Sequence, residues 1–256
     1  PKRGCKEALR RVEQLLKEDK VWVVDADIKG YFDTIPHGPL LKRVGGKIAD
    51  GRVLRLIEAY LKAGVMESVK SWQPTERGTP QGAVISPLLA NIYLDPLDWE
   101  MARAGLEMVR YADDYVVLCH SREQALQALE KIQEFANANG LTLHPEKTQI
   151  VDASQPGGFD FLGYHFERGM KWPRKKSLTK LKEVLRAKTR RTEGRSIKAI
   201  CEDLNGLLHG WFEYFKHSKS NVFTTIDGYT RGRLRSILRK RRRGRGRGRG
   251  RDHQRW

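Results

Sequence analysis

With 256 residues, 39% of them hydrophobic, the chain is long enough to bury the core of one or two domains. Its formal net charge of +18 makes a polyanion the expected class of partner. No apolar stretch reaches the ~18 residues of a membrane span, the first residues lack a secretion signal's apolar core, and three cysteines (Cys5, Cys119, Cys201) without CxxC spacing exclude a disulfide framework or structural zinc site, so a cytoplasmic protein with reduced thiols and no membrane partner is expected.

Residues 21–28 form an apolar run that reads as a strand and emerges into Asp25 and Asp27, two residues apart and on one strand face. Further along, Thr79-Pro80-Gln81-Gly82 reads as a loop in which Pro80 fixes one backbone angle and Gly82 permits close approach to the main chain. It leads into the apolar stretch 83–94, a buried helix with Pro87 near its first turn. Two runs rich in β-branched and aromatic residues, Met108-Val109 and residues 115–119, predict strands with Asp113-Asp114 at the hairpin tip between them. Adjacent like charges repel, and a fold that holds both ionised usually neutralises them with a divalent cation. Carboxylates from two strands suit a pair of Mg²⁺ ions and hence phosphoryl transfer, although an isolated Asp-Asp pair is also ordinary turn chemistry.

Charge is divided unevenly along the chain. Residues 1–167 carry 21 Lys+Arg against 24 Asp+Glu, a net −3, whereas residues 168–256 carry 28 against 7, a net +21. The C-terminal third is therefore the expected polyanion-binding region, with an affinity that falls as salt rises. Within it, residues 177–192 read as a basic helix with Leu178, Leu181, Val184 and Leu185 at helical spacing. Residues 196–215 read as a second helix, capped by Ser196 and burying Ile197, Ile200, Leu204, Leu207, Leu208 and Trp211. Trp172, Trp211, Phe212, Tyr214 and Phe215 have faces that stack on bases, while their helical spacing also fits a core. From Arg239 to Arg251 arginine and glycine dominate, a composition too flexible and self-repelling for stable helix or strand, and read as a disordered RNA contact.

On these motifs the chain resembles the reverse transcriptases, and among them the group II intron kind that also serves as a maturase. Asp27-Ile28-Lys29-Gly30-Tyr31-Phe32-Asp33 is similar to that family's first palm motif, Gly78-Thr79-Pro80-Gln81-Gly82 to its nucleotide-binding motif, and Tyr111-Ala112-Asp113-Asp114 to its catalytic tetrapeptide. Gly140-Leu141-Thr142-Leu143-His144-Pro145-Glu146-Lys147-Thr148 resembles the motif that closes the palm, and Phe161-Leu162-Gly163-Tyr164-His165-Phe166 the primer grip. Order and spacing both agree with the family. Asn205-Gly206 and Gly210-Trp211-Phe212-Glu213-Tyr214-Phe215, with a third helix near residues 225–239, resemble the thumb or maturase region that grips intron RNA.

The resemblance implies an α+β fold: a ferredoxin-like palm of antiparallel sheet with helices over residues 1–167, an α-helical thumb/maturase domain over 168–238, and a disordered basic tail over 239–256. It implies RNA-directed DNA polymerisation, with help to intron splicing and mobility. Asp27, Asp113 and Asp114 would hold two Mg²⁺ ions, or Mn²⁺, and Lys147 would donate a proton to pyrophosphate. Ile28, Phe32, Pro80, Gln81 and Gly82 would bind the nucleotide, the Phe32 ring lying under its sugar and rejecting a 2′-hydroxyl. RNA contacts are expected at Arg186, Lys188, Arg190, Arg191, Arg241, Arg242 and Arg243. Expected partners are template or intron RNA, a DNA primer or target, and deoxynucleoside triphosphates; the oligomeric state is left open. Asp25 lies outside the family's pattern and reads as a solvated or supporting acid. Because the first palm strand begins near residue 21, the fingers region that precedes it in the family is expected to be missing and the chain to be a fragment. No His/Cys cluster resembles the zinc-bearing endonuclease of some relatives. Two function classes stay open at this point, a polymerase and a non-catalytic RNA-binding protein or inactive fragment.

Overall fold

A computed structural model describes residues 4–63, 65–68, 71–73, 77–79 and 83–242. The chain divides into two compact units, Pro1–Leu162 and Gly163–Trp256.

The first unit mixes helices with an antiparallel sheet. Helix α1 (Cys5–Lys17) precedes strand β1 (Trp22–Ala26), followed by α2 (Tyr31–Thr34), α3 (His37–Gly45), α4 (Gly51–Lys62), the short strands β2 (Val65–Ser68) and β3 (Ser71–Gln73), and α5 (Ser86–Arg103). Then come the hairpin of β4 (Glu107–Tyr111) and β5 (Asp114–Cys119), α6 (Arg122–Ala138), β6 (Gln149–Asp152) and β7 (Phe159–Phe161). Four strands share a sheet in the order β4-β5-β1-β6, with antiparallel neighbours throughout. Central β1 takes its partners from far along the chain, Trp22 pairing with Cys119 on one side and Asp152 on the other.

Both faces of β1 and β5 are covered, which is why their sequences are nearly continuous apolar runs rather than alternating ones. Val24, Ala26, Tyr115, Val117 and Cys119 join the main core with Leu89 and Tyr93 of α5 and Ala128 and Ile132 of α6. Val23, Val116 and Leu118, on the opposite face, are also buried, and α1 packs on β4 and β5. Helix α5 outruns the predicted stretch 83–94, because Leu89, Tyr93, Leu97 and Met101 recur at four-residue steps and are all buried. That stripe carries the helix through Pro96, whose lost donor and ring clash cost ~3 kcal/mol.

In the second unit, β8 (Tyr164–Glu167) and β9 (Met170–Pro173) form a hairpin whose two turn residues, Arg168 and Gly169, both take positive φ, 52° and 69°. Such a turn matches the twist of the flanking strands. Helices α7 (Lys175–Lys188), α8 (Ile197–Phe215) and α9 (Asn221–Arg241) enclose a small core of Leu181, Leu185, Ile200, Leu204, Ile226 and Ile237. Helix α7 stops short of the predicted residue 192: buried Thr189 donates its hydroxyl to the Leu185 carbonyl, and the chain turns away. At the start of α8 the Ser196 hydroxyl accepts from the Ala199 N–H at 3.1 Å, as a capping serine should. Trp211 and Phe215 lie 4.8 Å apart and Tyr164 4.9 Å from Phe215, so these rings serve packing, while Phe212 stays 44% exposed. Against the expectation of disorder from Arg239 onward, α9 runs through Arg241, whose guanidinium donates to the carbonyls of Glu193 and Arg195 and anchors the last turn. Arg243 and the remainder of the Arg/Gly segment lie outside the described residues. Among the described residues no helix is long and apolar enough to cross a membrane.

Candidate active site

Strand register places the acids. Ala26 pairs with Tyr115, and continuing that antiparallel register by one residue sets Asp27 opposite Asp114 at one end of the sheet. Tyr111 pairs with Asp114, leaving Ala112 and Asp113 as a two-residue tip, Ala112 at a φ of 59°. Arg110 holds this tip in place. Its guanidinium donates to the Ala112 carbonyl at 2.8 Å, to Asn91 Oδ1 at 2.8 Å, and in bidentate fashion to Asp98, 2.7 Å from Nε. Burial works against its charge, the Asp98 carboxylate more than compensates, and Arg110 stays above its usual range. Asn91 and Asp98 lie on α5, so one side chain fastens the hairpin tip to a helix.

Residues 140–148 run along the end of β1. Lys29 N–H donates to the Thr142 carbonyl at 2.8 Å, His144 N–H donates to the Asp27 carbonyl at 2.7 Å, and Ile28 bridges Leu143. These main-chain bonds deliver Lys147, whose Nζ lies 2.7 Å from Asp27 Oδ2 with both side chains exposed. Asp25, further back on β1, has its carboxyl pushed up to about 6, chiefly by burial; Gln149 opposes this, and Asp114, Asp160 and Asp27 add to it. Asp114 accepts from the Leu162 N–H at 3.4 Å, and Asp113 is near enough to raise the Tyr31 phenol, which burial already pushes up. Asp114, Asp160 and Asp27 are therefore near enough to Asp25 to disfavour its charge. Hard carboxylate oxygens under mutual repulsion are the donor chemistry that Mg²⁺ or Mn²⁺ suits. Among the described residues, however, no three His, Cys, Asp or Glu side chains stand grouped to hold a metal ion; Lys147 supplies the cation at Asp27.

Phe32, on α2, is half-buried against the main core and edge-on to Tyr31 at 5.6 Å. Ile28 is buried. Residues 78 and 79 are stitched to the same region: Thr79 N–H donates to the Phe32 carbonyl at 2.6 Å, Gly78 N–H to the Ile35 carbonyl at 2.8 Å, and His37 Nε2–H to the Gly78 carbonyl at 2.7 Å. Pro80, Gln81 and Gly82 lie outside the described residues. Sequence reasoning did not find Arg110, Asp160 or His37. A basic residue just before an acidic hairpin tip was the available signal for Arg110; nothing marked His37, whose partner is 41 positions away.

Of the basic residues expected at RNA, Arg186, Arg190, Arg241 and Arg242 are exposed and Arg191 is half-buried. Lys188 is engaged within the unit, its Nζ 2.6 Å from Asp203, a carboxylate that also receives Arg195 at 3.2 Å. Arg233 donates to the carbonyls of Thr189 at 2.6 Å and Arg186 at 3.2 Å, satisfying the end of α7.

A family model described as reverse transcriptase (RNA-dependent DNA polymerase) matches residues 1–166, and one described as group II intron, maturase-specific domain matches residues 178–256. The group II intron-encoded protein LtrA of Lactococcus lactis subsp. cremoris is 35% identical over 154 residues, covering 57% of this chain and 25% of that protein. An uncharacterized 91 kDa protein in the cob intron of Schizosaccharomyces pombe is 31% identical over 212 residues, covering 60% of this chain and 26% of that protein. The chain thus spans about a quarter of the length of these curated relatives. Among solved structures, telomerase from Candida albicans in complex with a fragment of telomeric RNA shares the fold at 13% identity, with a TM-score of 0.52 over 90% of this chain and 46% of that one.

Proposed function

This chain belongs to the reverse transcriptase family, and on that premise we propose that it copies RNA into DNA by two-metal phosphoryl transfer within a group II intron-encoded protein, and assists intron splicing and mobility through its basic second unit. The order β4-β5-β1-β6, with α6 linking β5 to β6, suits a ferredoxin-like palm, and α7 to α9 suit a thumb or maturase region.

One observation carries the reading: the β1–β5 register that brings Asp27 to Asp114, with Asp113 at the adjoining tip and Lys147 docked on Asp27. Asp27, Asp113 and Asp114 would hold two Mg²⁺ or Mn²⁺ ions, which when bound activate the attacking 3′-hydroxyl and neutralise charge on the leaving pyrophosphate. The protein's own groups do the rest. Lys147 holds a proton on Nζ at the site and gives it to the pyrophosphate oxygen. Phe32 lies beneath the sugar and excludes a 2′-hydroxyl. Arg110 fixes the tip, so that Asp113 and Asp114 need no rearrangement as charge develops. Template or intron RNA, a DNA primer or target and deoxynucleoside triphosphates are the partners this chemistry needs.

Extension of a DNA primer on an RNA template with Mg²⁺ tests the proposal. The chain should extend the primer and Asp113→Asn should not, with RNA binding alike in both, because the change removes one negative donor at nearly constant shape. Extension by the variant at the wild-type rate would overturn the assignment. The net +21 over residues 168–256 favours a second reading, a non-catalytic RNA-binding protein, which expects RNA binding and no extension by either form.

A further inference from the structure

We propose that His37 is a positioning residue for deoxy-sugar selection, fixing residues 77–79 against Phe32, the ring placed under the nucleotide's sugar; this rests on the polymerase reading above. Helix α2, which carries Phe32, has four residues. One helical turn costs more order than its own hydrogen bonds return, so its position is set from outside.

Four links bind residues 77–79 to residues 32–37. Arg77 bridges Pro36, Gly78 N–H donates to the Ile35 carbonyl at 2.8 Å, Thr79 N–H donates to the Phe32 carbonyl at 2.6 Å, and His37 Nε2–H donates to the Gly78 carbonyl at 2.7 Å. The two strips lie so close that a Cβ on Gly78 would come within 2.8 Å of the Asp33 Cα and carbonyl oxygen. Thr79 is buried, and its hydroxyl has no hydrogen-bond partner among the described residues. His37 is 8% exposed and is the first residue of α3. Its ring is therefore anchored by a helix, and its bond to Gly78 is shielded from water. Unlike the three main-chain links, it is made by a side chain. Without it the Gly78 carbonyl is left unsatisfied in a dry setting, the strip loosens, and the Thr79–Phe32 bond loosens with it. The Phe32 backbone then drifts, and a gate that works by excluding one hydroxyl group loses its tolerance.

Three variants separate this role from simple packing. His37→Leu removes the donor, His37→Asn keeps a polar group that falls short of Gly78, and His37→Gln places an N–H at the reach of Nε2. Primer extension by the whole chain with deoxy- and ribonucleotides is paired with amide hydrogen exchange at residues 78 and 79. The Leu and Asn forms should lose about tenfold in preference for the deoxynucleotide, through its KM, with kcat held within about threefold. Exchange at both amides should quicken about tenfold, and the Gln form should restore both properties. Should the Leu form fail to fold, the Asn and Gln pair decides. A Gln form as impaired as the Asn form overturns the proposal, as does unchanged sugar preference or unchanged exchange in the Asn form. A wild-type chain that extends no primer overturns the polymerase reading itself, an outcome distinct from one that extends normally while the Asn form keeps its selectivity.

Discussion

Adding one methyl group at Gly78 would drive it to 2.8 Å from the main chain of Asp33, at a φ of +86° where side chains are rarely held. Left-handed strain of roughly 1–2 kcal/mol and overpacking of roughly 1–3 kcal/mol both oppose Gly78→Ala. The variant should lower the urea midpoint by the equivalent of about 2–4 kcal/mol, and an unchanged midpoint would mean that the strip yields freely. Residue by residue, the sequence is most legible where side chains carry the interaction. Asp27, Asp113 and Asp114 stand out because carboxylates at the ends of apolar runs are conspicuous, and the register sets Asp27 opposite Asp114. His37 was invisible for the opposite reason: it acts on the carbonyl of Gly78, and every residue has a carbonyl.

Elements extend or stop for reasons that lie outside their own propensities. Helix α5 passes Pro96 because its buried stripe continues to Met101, whereas α7 ends at Lys188 although Arg190 and Arg191, both good helix formers, lie just beyond Thr189. The tie between β4, its tip and α5 runs through Arg110, whose side chain is 11% exposed. Arg110→Met keeps the bulk and removes three polar partners, leaving the Asp98 carboxylate and the Ala112 carbonyl without their donor. A charge-assisted hydrogen bond is worth roughly 1.5–3 kcal/mol, so a loss of about 2–3 kcal/mol is expected in chemical denaturation. Primer extension should fall more than RNA affinity does, because the tip bearing Asp113 loses its anchor. Equal stability in the variant would make the bidentate pair a solvated interaction that contributes nothing.

Across the whole molecule, the uneven charge was the feature easiest to read from sequence, since 28 basic against 7 acidic residues needs no structure to interpret. Which of those cations are available was not legible: Lys188 is spent on Asp203, and Arg241 on two carbonyls. Deleting residues 243–256 removes six arginines and one aspartate while sparing Arg241 and its anchoring role. Binding to many RNAs should weaken alike, and the slope of log affinity against log salt should flatten by roughly 0.7 for each single-strand phosphate that is no longer neutralised. An unchanged slope in salt titration would place the RNA grip on the exposed arginines of the helices. The central place of β1 bears on how the protein is made. Its neighbours are β5 and β6, so Trp22 waits for Cys119 and Asp152 to emerge from the ribosome. Until then the growing chain displays an apolar strand with both edges bare, an invitation to pair with other nascent chains. Long closures of this kind slow folding to milliseconds or seconds. Nascent pieces released before Asp152 should therefore collect in aggregates, and chaperone supply during synthesis should set the yield of folded protein.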